Sequence, residues 1–316
     1  MPSCRIYYWD NGVGVKTDAS LISECLGEEF KCEVFDFSSS ESNEDFFNYT
    51  VERENVDIGI FIQNYNPNLL ADNKINILII NEEWISFEDL LHLNDFDHII
   101  VKSEYAKKLL YGMHPSIHVL HFWSRDLHSE YYSKFKSNNI LHFAGKSIQK
   151  NTESVINNTD IHIFDSNGRF KDVRKEKYYC NFISDNKLQR VFNTCDTHVC
   201  PSLYEAHGHY FFEALLCNKK VIASKCPVWE ELVDPEYVVY IETQNCVFNH
   251  PDHDWLSGEL PEKTFTKYPF RRGFVVEPDS INEAIENSKD KKPRKYILDL
   301  FSKNQQKFLD FFKALL

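Results

Sequence analysis

Short apolar runs rich in branched and aromatic side chains alternate with helical patterns along almost the whole chain, and this alternation limits the fold more than any other feature. Arg5–Trp9, Cys32–Phe37, Asp57–Ile62, Ile75–Ile80, His98–Val101 and His118–Phe122 read as short buried strands. Helical patterns lie between them near Lys16–Leu26, Glu44–Glu54, Phe87–Leu93 and Glu104–Tyr111. Leu127–Asn139 is polar, has no strong period and reads as a linker. A second series follows, with strands at Ile140–Phe143, Asp160–Phe164, His198–Cys200, Lys220–Ala223 and Val238–Ile241. Its helices fall at Asn186–Thr194, Gly208–Leu216 and Val228–Val233. Strands alternating with helices make parallel sheets covered on both faces. The expected architecture is therefore α/β, with two Rossmann-like, doubly wound domains over residues 1–135 and 136–294. A helix over 295–316 would close the structure. Such sheets bind ligands beyond the carboxyl ends of their strands, so an interdomain cleft is the expected site.

Composition excludes several functions. Lys+Arg 35 against Asp+Glu 48 gives a net charge of −13, which opposes binding to nucleic acid through overall field. The opening residues lack a basic region followed by an apolar stretch, and the longest clean apolar run, Ile77–Ile80, is far too short for a transmembrane segment. Nine scattered cysteines without a C-x-x-C pair fit buried thiols in a reducing, cytoplasmic setting better than a disulfide framework. The terminal stripe of Leu300, Phe301, Phe308, Phe312 and Leu316 suits packing on the body of the protein more than lying in a membrane interface. Only 10 residues are glycine, so each is expected to mark a place where a side chain does not fit.

Asp196–Ser224 carries most of the chemistry. An apolar strand enters a loop, Pro201–His207, and a helix opens near Gly208. The unpaired N–H groups of such a helix start, here around Gly208, His209 and Tyr210, attract anions. Glu205 in the loop and Glu213 in the helix stand eight positions apart. Two carboxylates flanking a phosphate site suit a nucleotide sugar, one for sugar hydroxyls and one for ribose. Gly208 would let the ligand approach the backbone. Upstream, Gly145 ends a strand and is followed by Lys146 and Lys150, whose charges suit a diphosphate. Ala144–Ser147 also looks like the end of a P-loop, but that motif needs a glycine where Ile140 stands.

Pro201, Ser202, Glu205, Gly208 and Glu213 together resemble the E-x7-E motif of retaining glycosyltransferases of the GT-B fold, glycosyltransferase family 4 in particular. Ala206 and His207 depart from the family's usual Gly and Phe, and Lys146 stands where it has an arginine. A lysine is a point charge where an arginine is a planar fork. The resemblance implies a GT-B fold and transfer of a hexosyl group from a UDP- or GDP-sugar to an acceptor hydroxyl, with retention of configuration. The acceptor would be a glycan, glycolipid or glycoprotein. Glu205 and Lys146 would be catalytic, Glu205 orienting the donor sugar. Lys146, Lys150, Gly208, His209, Tyr210 and Glu213 would bind the donor, Glu213 through its ribose. Gly12 and Gly14 resemble the family's amino-terminal glycine loop and would approach the donor from the other domain. Gly273–Ile285 reads as framework. The family's amino-terminal histidine has no secure counterpart; the strand ends offer Gln63, Asn64, Asn81, Glu82 and Glu83, of which Glu82 and Glu83 are the acceptor-side candidates. No obligatory metal or other cofactor is implied, and His207 and His209 with Glu205 and Glu213 fit a donor loop better than a metal site. His250 and His253 read as part of a solvated insertion over Thr243–Arg272. A sugar-nucleotide epimerase on the same fold and a carbohydrate-binding pseudoenzyme are the alternatives.

Overall fold

The computed structural model describes residues 1–10, 13–38, 55–135, 137–173, 176–181, 183–247, 269–270, 272–287 and 291–316. The chain divides into two compact units: Met1–Trp123 with Phe265–Phe270 and Lys303–Leu316, and Ser124–Thr264 with Arg271–Ser302.

In the first unit the order is β1 (Ser3–Tyr8), α1 (Val13–Leu26), β2 (Lys31–Asp36), β3 (Val56–Ile62), β4 (Asn73–Ile80), α2 (Phe87–Leu91), β5 (His98–Val101), α3 (Glu104–Leu109) and β6 (Ile117–Val119). All six strands are parallel, in the order β2-β1-β3-β4-β5-β6. Ile58, Ile60, Ile77, Ile79, Ile99 and Ile100 are buried, as continuous apolar runs in a doubly covered sheet require. Tyr7 stacks on Phe61 with ring centroids 4.5 Å apart. Two helices start on serine caps: Ser86 forms a capping box with Asp89, and the Ser103 hydroxyl accepts from the Ala106 N–H. The helix expected near Glu44–Glu54 lies outside the described residues.

The second unit runs β7 (Ser137–Gly145), β8 (Ile161–Asp165), β9 (Tyr178–Tyr179), α4 (Asp185–Thr194), β10 (Cys195–Cys200), α5 (His209–Leu216), β11 (Lys220–Ser224), α6 (Pro227–Leu232), β12 (Val239–Ile241), β13 (Gln244–Val247), β14 (Arg272–Val275), α7 (Pro278–Asn287) and the start of α8 (Arg294–Ala314), whose residues from Lys303 onward belong to the first unit. Its main sheet is also parallel, in the order β12-β11-β10-β7-β8-β9. From β7 the chain winds outward through β8 and β9, then returns to place β10 on the other side of β7. The strand order therefore reverses between β7 and β10, and a crevice opens beyond their carboxyl ends. β13 and β14 pair antiparallel, so the two ends of the expected insertion come together. β7 begins at Ser137, inside the stretch read as a linker.

The terminal helix α8 uses its apolar stripe within the protein. In the second unit Ile297 is buried and Phe301 packs 5.4 Å from Phe212. In the first, Phe308 meets Phe122 and Trp123 edge-on, and Phe312 is fully buried. Leu316, expected on the same face, is exposed. No disulfide joins the cysteines among the described residues. No described helix is long and apolar enough to cross a membrane.

Candidate functional site

The loop after β10 sits at the switch point of the second sheet, and every residue from Pro201 to Gly208 is buried. Hydrogen bonds at Ser202 and Leu203 fasten it to three other segments. The Ser224 hydroxyl donates to the Ser202 carbonyl at 2.6 Å, the Leu203 N–H to the Gln149 carbonyl at 2.8 Å, and the Phe274 N–H to the Leu203 carbonyl at 2.6 Å. The loops following β7 and β10 are thereby joined directly.

Glu205 lies inside this seam. Its Oε1 accepts from the Ser202 hydroxyl at 2.6 Å and pairs with Lys150 Nζ. Its Oε2 faces the Gln149 amide at 3.4 Å. Lys150 Nζ also sits 4.1 Å from the centroid of the Tyr210 ring, a cation–π contact. The Ser202 hydroxyl has one proton and gives it to the carboxylate, so Tyr210 donates across the 2.7 Å contact between their hydroxyls. Burial, reinforced by Cys200 and Glu205, pushes the Tyr210 phenol well above its ordinary value and keeps that donor protonated. Lysine, serine, glutamine and tyrosine thus hold one buried carboxylate at the head of α5.

Gly208 occupies the N-cap of α5 with φ +83°. A Cβ there would come within 2.9 Å of Trp229 Cζ2 and Nε1. The indole is held in turn by its N–H, which donates to the His207 carbonyl at 2.8 Å, and by stacking on Phe211 at 4.3 Å. The position therefore demands glycine for its left-handed backbone and for the indole, as well as for any ligand approaching the helix start. Ser124 Oγ bridges His207 Nε2 at 3.0 Å and His209 Nδ1 at 2.9 Å.

Glu213 is buried one turn into α5, and Arg125 directs Nε and a terminal nitrogen onto its Oε1, both at 3.0 Å. At the other wall, Gly145 has φ +59° at the end of β7, and the following Lys146 is exposed. The Lys146 carbonyl accepts from the Asn167 amide at 2.7 Å. Asp165, fully buried at the end of β8, accepts from the Tyr178 hydroxyl at 2.7 Å and from Arg169 Nε at 3.2 Å. Arg169 also donates to the Ser147 carbonyl at 3.2 Å, which steadies the lysine loop from behind.

Of the residues singled out by sequence, the structure brings Lys150 against Glu205 and Tyr210, and places Gly208, His209 and Glu213 along the head of α5, where Ser124 meets His209 and Arg125 meets Glu213; Lys146 follows the end of β7. Sequence reasoning missed Ser124, Arg125, Gln149 and Asp165. Asp165 carried a usable signal, an acid directly at a strand end. Arg125 carried none, because it lies just before a polar stretch without period.

The remaining glycine and acceptor-side candidates belong to the first unit. Gly12 lies outside the described residues. Gly14 belongs to the first turn of α1, with nothing within 4 Å of the place a Cβ would take. Glu82 and Glu83 are buried in a single 3-10 turn, Glu82–Trp84, behind β4. Gln63, at φ +64°, accepts the Asn81 N–H on its side-chain oxygen at 2.7 Å. Lys102 and Asp18 form a buried ion pair at 2.6 Å. Among the described residues no group of three or more His, Cys, Asp and Glu is placed to hold a metal ion. His250 and His253 lie outside the described residues.

Residues 170–258 match the family described as Glycosyl transferases group 1. No curated protein sequence matches the chain significantly. Among solved structures, sucrose-phosphate synthase from Thermosynechococcus elongatus is similar over 100% of this chain and 99% of its own, at 11% identity and a TM-score of 0.68. HepE from Anabaena, solved in complex with UDP and glucose, is similar over 98% of this chain and 99% of its own, at 14% identity and a TM-score of 0.64. The lipopolysaccharide outer core galactosyltransferase WaaB is similar over 100% of both chains, at 12% identity and a TM-score of 0.58. The chain has the GT-B fold of glycosyltransferases, and its residues 170–258 match the group 1 family on that fold.

Proposed function

We propose that the chain is a glycosyltransferase that moves a hexosyl group from a nucleoside diphosphate sugar to an acceptor hydroxyl, with retention of configuration. One observation carries the reading. Two buried carboxylates, Glu205 and Glu213, flank a glycine-opened helix start at the switch point of a parallel sheet. Helix-start N–H groups at Gly208–Tyr210 receive the diphosphate. Lys150 already answers Glu205, so the exposed Lys146 is the cation that meets charge building on the departing diphosphate as the glycosidic bond breaks. Glu205, held by Lys150, Ser202 and Gln149, orients the donor sugar through its hydroxyls. Glu213 takes the ribose. UDP heads the donors to test because HepE was solved with UDP-glucose.

A thermal-shift screen against UDP, GDP, ADP and their sugars tests this directly. A ligand at 100 times its dissociation constant stabilises the protein by about 2.7 kcal/mol. A shift with a nucleotide sugar, followed by transfer to an acceptor, is the expected result. No shift with any nucleotide overturns the reading.

A further inference from the structure

Arg125 is an unusual neighbour for a carboxylate that has to accept hydrogen bonds from a ligand. It places Nε and a terminal nitrogen on the same oxygen, Glu213 Oε1, at 3.0 Å each. Among the described residues Glu213 Oε2 takes no hydrogen bond. The carboxylate is nearly buried, whereas the guanidinium is about a third exposed and reaches Asp185 at 3.7 Å with its remaining nitrogen. A guanidinium is a planar fork, so two of its nitrogens on one oxygen set the rotation of the carboxyl group. One oxygen is occupied, and the other is presented.

We propose that Arg125 is a positioning residue that aims Glu213 Oε2 at a ribose hydroxyl and makes the site selective for ribonucleoside over 2′-deoxyribonucleoside diphosphates. This rests on the donor-site reading above and sharpens it. A vicinal diol gives one carboxylate oxygen two donors, and the 2′-deoxy analogue withdraws one of them. Removing a hydrogen bond to a charged, poorly solvated group costs about ten- to a hundredfold in affinity. Without the arginine the carboxyl group rotates and turns to solvent, and the preference declines.

The test is calorimetric titration of the full chain with UDP, GDP and ADP and with dUDP, dGDP and dADP. The wild-type protein is expected to favour the ribonucleotide it binds by at least about tenfold. Arg125→Ala should lower that ratio to below about threefold, and Arg125→Lys should restore part of it. A merely structural ion pair would weaken both ligands equally and leave the ratio unchanged, which overturns the proposal. Should Arg125→Ala fail to fold, Arg125→Gln supplies the same ratio. Equal wild-type binding of ribo and deoxy forms overturns the proposal while leaving the donor-site reading standing. No binding of any of the six overturns both.

Discussion

Replacing Gly208 by alanine places two separable costs on one atom. The backbone there is left-handed, at φ +83°, which costs an L-residue roughly 1–2 kcal/mol. The new methyl group would also stand 2.9 Å from Trp229 Cζ2 and Nε1, closer than van der Waals contact allows. The indole cannot retreat cheaply, because it is fully buried, stacked on Phe211 and hydrogen-bonded to the His207 carbonyl. Overpacking of this kind costs about 1–3 kcal/mol, so the total is about 2–5 kcal/mol. For a unit of this size that lowers the melting temperature by roughly 5–15 °C. Circular dichroism melts and urea titrations of Gly208→Ala measure the total. The same substitution in a Trp229→Leu background, where the side chain ends short of the clashing atoms, should cost only the backbone part. The difference between backgrounds is the coupling energy of the two positions. An identical cost in both backgrounds would refute the packing argument. A Gly208→Ala melt within a degree of wild type would refute the backbone argument as well.

Three further outcomes are expected. Lys146→Ala should reduce turnover about a hundred- to a thousandfold. Because that side chain is exposed, denaturant stability should stay within about 0.5 kcal/mol of wild type; unchanged turnover removes it from the mechanism. Lys150→Ala leaves Glu205 buried without its cation and should cost about 3–5 kcal/mol in a urea titration, with Glu205→Gln in the same chain recovering much of the loss; no recovery would show that charge is not the cause. Burial pushes His142 down to about 4, its Nδ1–H donating to the Val199 carbonyl at 3.1 Å. An unfolded imidazole binds its proton near 6.5, so as pH falls from about 6.5 to 4 the unfolded state takes up the extra proton and stability is lost, by about 3 kcal/mol. The difference between wild-type and His142→Gln stability should change across that window; a flat difference contradicts the assignment.

The main sheets were readable because their strands are short continuous runs of branched and aromatic residues, bounded by polar turns. Ile75–Ile80 and Lys220–Ala223 fall wholly inside β4 and β11. β9 was not legible: two tyrosines make no pattern, and the strand exists because Tyr178 reaches across to Asp165. At the site, Glu205 and Glu213 could be located because loop, glycine and helix follow one another in sequence. What holds them could not. Lys150 and Arg125 approach from 55 and 88 residues away, and only the folded sheet makes them neighbours. Gly208 was legible as a required glycine but not for its full reason, since nothing in the sequence ties it to Trp229. Glu82 and Glu83 were picked out as acceptor-side candidates from their place after a strand, but nothing in the sequence showed that the turn after β4 buries them.

The backbone anchors at Ser202 and Leu203 in the Pro201–Gly208 loop have a thermodynamic consequence. A loop already pinned to β11, to β14 and to the lysine loop has surrendered its conformational freedom during folding, so a ligand docking there has little chain to immobilise. Calorimetry should then return a heat-capacity change no larger than the apolar surface covered by the ligand itself, without the additional negative term that a folding loop contributes.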